Sequence, residues 1–162
     1  MTLDGDIVIQ PLRSEDHPHW LPLWKDYQVF YAVDIPAPVT ALTWTRLLDP
    51  TEPVAGALAW QGAIAVGLVH HIRHRSCWTA GDYCYLQDLF VAPAARHAGV
   101  GRKLIEHVYG LAARQGCARV YWLTHETNSV AMLLYDRIAK RTGFIQYRKN
   151  LQGMIPKKPA PD

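Results

Sequence analysis

The stretch Tyr85-Leu86-Gln87-Asp88-Leu89-Phe90-Val91 is followed shortly by Arg96-His97-Ala98-Gly99-Val100-Gly101 and then by an amphipathic segment opening at Arg102. This succession constrains the fold more than any other part of the chain. It predicts a strand, a glycine-bearing turn and the start of a helix. Gly99 and Gly101 carry no Cβ, so the backbone there can approach a bulky anion and adopt positive φ at little cost. The helix start then aims unpaired N–H groups and a positive dipole end at that anion. A pyrophosphate is the natural occupant. Arg96 and Arg102, at the two ends of the loop, supply charge-assisted hydrogen bonds to phosphate oxygens.

Two common phosphate-binding patterns are excluded. A P-loop needs four residues between its glycines and then Gly-Lys-Ser/Thr, and the dinucleotide fingerprint needs Gly-x-Gly-x-x-Gly opening a βαβ unit. Neither occurs. The chain downstream reads as a helix over residues 100–115, a stop at Gly116, and a β-branched and aromatic strand over residues 119–124. A second helix starts from an Asn128 cap and carries Arg137, Lys140 and Arg141 toward its C-terminal end. Gly143 closes it, and residues 144–147 resume extended structure.

Arg-x-x-Gly-x-Gly at residues 96–101 resembles the acetyl-coenzyme A pyrophosphate loop of the GNAT superfamily of N-acetyltransferases. Asn-x-x-Ala-x-x-Leu-Tyr at residues 128–135, followed by Gly143-Phe144, is similar to the second motif region of that superfamily. The strand 85–91, taken with residues 120–128, looks like the branch that contains fungal histone, polyamine and D-amino-acid acetyltransferases and their bacterial relatives. The resemblance is specific over roughly residues 84 to 148 and weaker over residues 6 to 80.

The resemblance implies an α/β fold: a twisted mixed sheet of six to seven strands flanked by about four helices. A single domain is expected over residues 1–150, with a tail at 151–162. It also implies direct acetyl transfer, in a ternary complex, from acetyl-CoA to a primary amine, with no metal. On this pattern Leu89, Phe90 and Val91 make backbone contacts to the pantetheine arm. Arg96, His97, Ala98, Gly99, Val100, Gly101 and Arg102 surround the pyrophosphate. Asn128 contacts the coenzyme, and Tyr135 stands near its sulfur to protonate the leaving thiolate. The resembled fungal proteins self-associate, which implies a homodimer. A domain that binds acyl-CoA as a sensor without turnover is the alternative.

Acyl transfer to an amine has its own demands. A primary aliphatic amine is protonated at neutral pH, since lysine's ordinary pKa is about 10.4, so a base or water chain must remove a proton before attack. Asp88 and Gln87 lie on opposite faces of their strand, and a local bulge decides which one faces the acceptor. Spermidine/spermine acetyltransferases carry a glutamate at the position of Gln87, so polyamine specificity is in doubt. Glu126 and His125 follow the fifth strand, which the resemblance places near the coenzyme's reactive end. Glu126 is a candidate for amine recognition or proton relay.

The N-terminal half reads as a strand over residues 6–12, then a helix whose Trp20, Trp24, Tyr27 and Tyr31 share one face. That stripe is either core or, at Tyr27 and Tyr31, a wall of the acceptor pocket. A second helix is expected from Val39 or Thr40 to Leu48. Two apolar runs, residues 54–59 and 63–72, form a hairpin about Trp60-Gln61-Gly62. His70 and His74 fall on one face near its end, either as surface histidines or as ligands and proton carriers.

Seventeen Lys and Arg against 14 Asp and Glu give a net charge of +3. The short basic pair Lys157-Lys158 is too little for nucleic-acid recognition, and the surplus suits a polyanionic coenzyme. The resemblance implies an acceptor that is a small-molecule amine or a lysine-bearing chain. No apolar stretch reaches the roughly 20 residues of a membrane span, and the acidic start is unlike a secretion signal, so the cytoplasm is expected. Three cysteines without Cys-x-x-Cys spacing predict reduced thiols.

Overall fold

A computed structural model describes residues 5–152; residues 153–162, most of the expected tail with its lysine pair, lie outside them. Five strands pair in the order of the chain: β1 (Ile7–Pro11), β2 (Val54–Gln61), β3 (Ile64–His74), β4 (Tyr83–Val91) and β5 (Arg119–Tyr121). The first three joins are antiparallel and β4 to β5 is parallel, as a helical crossover requires. Helices α1 (His17–Phe30) and α2 (Ala37–Leu48) precede the hairpin; α3 (Val100–Arg114) and α4 (Ser129–Ile138) flank β5 in sequence.

The α/β class and the four helices agree with the sequence reading, whereas the sheet has fewer strands than six or seven. Residues 144–147 form no strand, and Phe144, Ile145 and Tyr147 are exposed. The reason lies at the edge. β5 pairs over three positions only, Tyr83↔Arg119 to Tyr85↔Tyr121, so it offers little ladder for a further strand to extend.

Each face of the sheet buries a different set of side chains. On one side Leu58, Leu68 and Phe90 pack with Trp20, Leu23, Trp24 and Leu47 from α1 and α2. On the other, Ala57, Ala59, Val66, Val69 and Leu86 meet Val100, Leu104, Ile105 and Val108 of α3. Gly67 permits that approach: a Cβ there would sit 3.2 Å from both Leu104 Cδ1 and Val100 Cγ1 of α3.

One irregularity positions the site. His70 pairs with Asp88 but His71 pairs with Leu86, which leaves Gln87 as an extra residue in β4. Cys84 and Leu86 therefore face α3 together with Leu89 and Val91. Tyr85 and Asp88 are carried to the opposite face, close enough for the Asp88 charge to act on the Tyr85 phenol.

Candidate functional site

Asp88 is the centre of a buried polar chain on the α1 side. The Tyr27 hydroxyl donates to its Oδ1 at 2.7 Å, and His70 Nδ1 stands 3.0 Å from Oδ2. Trp20 Nε1 donates in turn to His70 Nε2 at 2.9 Å. Burial and then the Asp88 carboxylate push the Tyr27 phenol far above its ordinary value, so it remains a donor. Burial and then Asp88 also raise Tyr31, whose ring lies 4.8 Å from that of Tyr27. Along the aromatic stripe of α1, Trp20 and Trp24 are core, while Tyr27 and Tyr31 lead from Asp88 toward the surface.

The bulge turns Gln87 and Asp88 apart. Asp88 turns inward to Tyr27 and His70; Gln87 is exposed and lines a cleft with Tyr31, Leu86, Leu89, Trp122 and Tyr135. His70 is a correction to the surface alternative: it is 2% exposed and wholly engaged. His74 does lie at the exposed end of β3, where its Nε2 meets the Tyr121 hydroxyl at 2.7 Å.

The cleft opens where the sheet divides. Beyond Tyr85↔Tyr121 no strand among the described residues pairs with β4 on the β5 side, so the stretch holding Leu89, Phe90 and Val91 keeps one backbone edge outside the described ladders. The Phe90 side chain is buried against α1, while Leu89 lines the cleft. Tyr135, the seventh residue of α4, stands here with its ring centroid 5.3 Å from that of Trp122. Burial, followed by Tyr31, pushes its phenol up to about 12.

The loop after β4 takes the shape expected of the glycine-bearing turn. His97 has φ 66° and Gly99 φ 76°, both left-handed, and a Cβ on Gly99 would meet nothing within 4 Å. His97, Ala98 and Gly99 are exposed, and Val100 is buried as the first residue of α3. Gly99 at the cap position makes no side-chain cap bond to the first amides of α3. Arg96 donates to the Val91 carbonyl at 3.2 Å, and Arg102 pairs with Glu106 at 2.7 Å. Gly101 is tighter: a Cβ would touch Leu134 and Val91 at 3.7 and 3.8 Å. Open backbone, an uncapped helix start and two guanidinium groups fit a pyrophosphate.

Asn128 occupies the cap position of α4 without accepting a cap bond, and its amide donates to Thr124 Oγ1. His125 is tied within its own loop, its Nδ1 2.7 Å from Thr127 Oγ1. Glu126 is exposed on the same loop. Among the described residues no hydrogen bond joins either of them to the Asp88 group. Two participants were not singled out as a pair by sequence: Trp20 and His70 lie 50 residues apart, and only the strand register reveals His70 opposite Asp88.

The arrangement of sheet and helices is that of solved acyl-group transferases. The chain superposes with a TM-score of 0.78 on AAC(6')-Iy, solved in complex with the bisubstrate analogue CoA-S-monomethyl-acetylneamine, at 20% identity over 90% of this chain and 99% of the other. The family itself is given by sequence: the chain belongs to the acetyltransferase (GNAT) family, whose pattern matches residues 10–139. It is 39% identical to the D-amino-acid N-acetyltransferase HPA3 of Saccharomyces cerevisiae over 89% of this chain and 91% of that one. It is also 35% identical to the thialysine N-epsilon-acetyltransferase of Mus musculus, over 54% of each. The relatives are enzymes that acetylate amines, and none of these similarities supports a coenzyme-binding sensor.

Proposed function

We propose that the protein transfers an acetyl group directly from acetyl-CoA to the primary amine of a small amino-acid-like acceptor, with Asp88 on the amine side of the cleft and Tyr135 on the coenzyme side. The observation that carries the reading is the division of the sheet beyond Tyr85↔Tyr121, which opens a cleft holding Tyr135 and Gln87. The free amino acid acceptor is supported by the yeast relative, whose name specifies D-amino acids. A lysine-bearing acceptor is the broader form of the same chemistry.

Acetyl-CoA supplies an acyl group already activated as a thioester. The first amides of α3, with Arg96, His97, Ala98, Gly99, Val100, Gly101 and Arg102, hold its pyrophosphate. The unpaired backbone edge at Leu89, Phe90 and Val91 binds the extended arm and polarises the carbonyl. Asn128 steadies the arm. Asp88 receives the acceptor ammonium between Tyr27 and Tyr31 and takes its proton; Glu126 and His125, on the loop after β5, contribute to recognition of the acceptor. Tyr135 keeps its proton up to about pH 12 and so has it available when the thiolate departs. Holding both substrates in one cleft supplies much of the rate.

Exposed Phe144, Ile145, Tyr147 and Leu151 support assembly as a homodimer. No helix among the described residues is long and apolar enough to cross a membrane. Three free cysteines support a reducing compartment such as the cytoplasm.

Thiol release from acetyl-CoA, measured across D- and L-amino acids, polyamines, aminoglycosides and lysine peptides, tests the proposal. The expected result is acceptor-dependent release, strongest for free amino acids, that falls about 100-fold in Tyr135→Phe. Silence across the panel in a folded protein that binds acetyl-CoA would refute the assignment.

A further inference from the structure

Trp20, His70 and Asp88 lie on three different elements and are all nearly excluded from solvent, at 0%, 2% and 8% exposed. Their hydrogen bonds have a direction that chemistry dictates. An indole N–H donates and never accepts. At 2.9 Å from it, His70 Nε2 must be the acceptor and carries no proton. The ring proton therefore sits on Nδ1, 3.0 Å from Asp88 Oδ2, and Nδ1–H donates to the carboxylate. Tyr27 occupies the other oxygen. Adding a second proton to His70 would set two N–H groups against each other across the contact with Trp20.

We propose that His70 is a positioning residue of the acceptor site, locked by Trp20 as the neutral Nδ1–H tautomer so that it fixes Asp88 without cancelling its charge. The inference rests on the reading of Asp88 as the group that receives the acceptor ammonium. A doubly protonated His70 would form a neutral ion pair with Asp88 and remove the attraction for a cation. The indole N–H, aimed at Nε2, opposes that state. The titratable groups around the pair are Tyr27 and Tyr31 from α1, Tyr85 from β4 and His71 from β3. The three phenols are raised and so remain neutral; burial leads the causes that hold His71 down to about 4, so it is neutral at pH 7 too. Asp88 is the one charge of the cluster.

The chain also has an outlet toward the cleft. Asp88 acts electrostatically on Tyr31, and Tyr31 lines the same cleft as Tyr135. A merely structural cluster at this depth would be served as well by apolar side chains of the same volume, because buried charges rarely add net stability. Its polarity is explained by a carboxylate that must keep both its orientation and its charge.

Long-range 1H–15N correlation spectra of the imidazoles at pH 7, on the full chain without acceptor, test the lock. His70 is expected to show a protonated Nδ1 and a bare Nε2. Trp20→Phe should raise the acceptor KM about tenfold with kcat changed less than about threefold, because ammonium attraction is lost while the donor to Asp88 remains. His70→Ala should lower kcat/KM about 100-fold, and His70→Asn, whose amide can still donate to Asp88, should recover to within about tenfold of the native enzyme. Thermal melts confirm that each variant is folded.

A protonated Nε2 in the native protein would overturn the proposal, as would equal losses in His70→Ala and His70→Asn. Acetyl transfer that survives Asp88→Asn unchanged would remove the reading on which the proposal rests, and with it the role of His70, even if the tautomer is as described. The spectrum is read without turnover, so the two failures are distinguishable.

Discussion

His70 and His71 are adjacent in sequence, similarly buried, and project to opposite faces of the sheet. His70 meets Trp20 and Asp88 with its two ring nitrogens. His71 Nδ1 has no hydrogen-bond partner among the described residues, and the ring borders a cavity of about 330 Å³ lined also by Asp49, Glu52, Arg73 and Gln115. One face converts burial of a polar ring into fixed geometry; the other pays for it in acid sensitivity. Burial, then His107, His70 and Arg73, lower His71 to about 4. At similar depth the two rings differ in their partners, and only His70 has both nitrogens engaged.

The contrast between a polar face that serves chemistry and an apolar face that serves stability can be broken experimentally. Leu104→Ala, in the aliphatic cluster against α3, should cost about 2–5 kcal/mol in urea unfolding while kcat of the folded fraction is retained. A proportionate loss of kcat would show that the two faces are not separable.

The acid response is next in size. The unfolded His71 titrates near 6.5 and the folded one near 4, so between these values the unfolded chain binds more protons. The stability due to this group is complete above pH 6.5 and is lost as pH falls toward 4, by roughly 3 kcal/mol at most. His71→Leu should flatten that part of the stability profile measured by denaturant titration. An unchanged slope would assign acid sensitivity elsewhere.

Tyr27→Phe removes one donor from Asp88 and should cost about 1–2 kcal/mol of stability, with a rise in acceptor KM and little change in KM for acetyl-CoA. Comparing the two constants sharpens the division between acceptor and coenzyme sides. Arg102→Ala should have the smallest effect. Its guanidinium is exposed and already shared with Glu106, so KM for acetyl-CoA should rise only about threefold, and less at high salt.

The parts legible in sequence are those built from neighbours. β4, the turn with left-handed Gly99 and the start of α3 follow one another, and strand alternation, glycine and helix periodicity specify each locally. The Asp88 cluster follows another logic. Its contacts to His70, Trp20 and Tyr27 span separations of 18 residues for the first and 61 for the last, and they depend on an extra residue in one strand. No periodicity announces such a residue. The extended propensity of residues 144–147 was equally real, but a strand also needs a neighbour, and β5 is too short to provide one.

The bulge at Gln87 has a consequence for how this strand tolerates change. It acts as a frameshift in side-chain alternation: before it the odd-numbered Tyr83 and Tyr85 share the α1 side, and after it the even-numbered Asp88 and Phe90 do. Removing that single residue would leave residues 83–86 and 88–91 in plain alternation, with Tyr85 and Asp88 still on the α1 side. Loss of Leu89 would instead turn Phe90 toward the aliphatic layer, so the strand should tolerate deletion of its extra residue better than deletion of a residue that alternation needs.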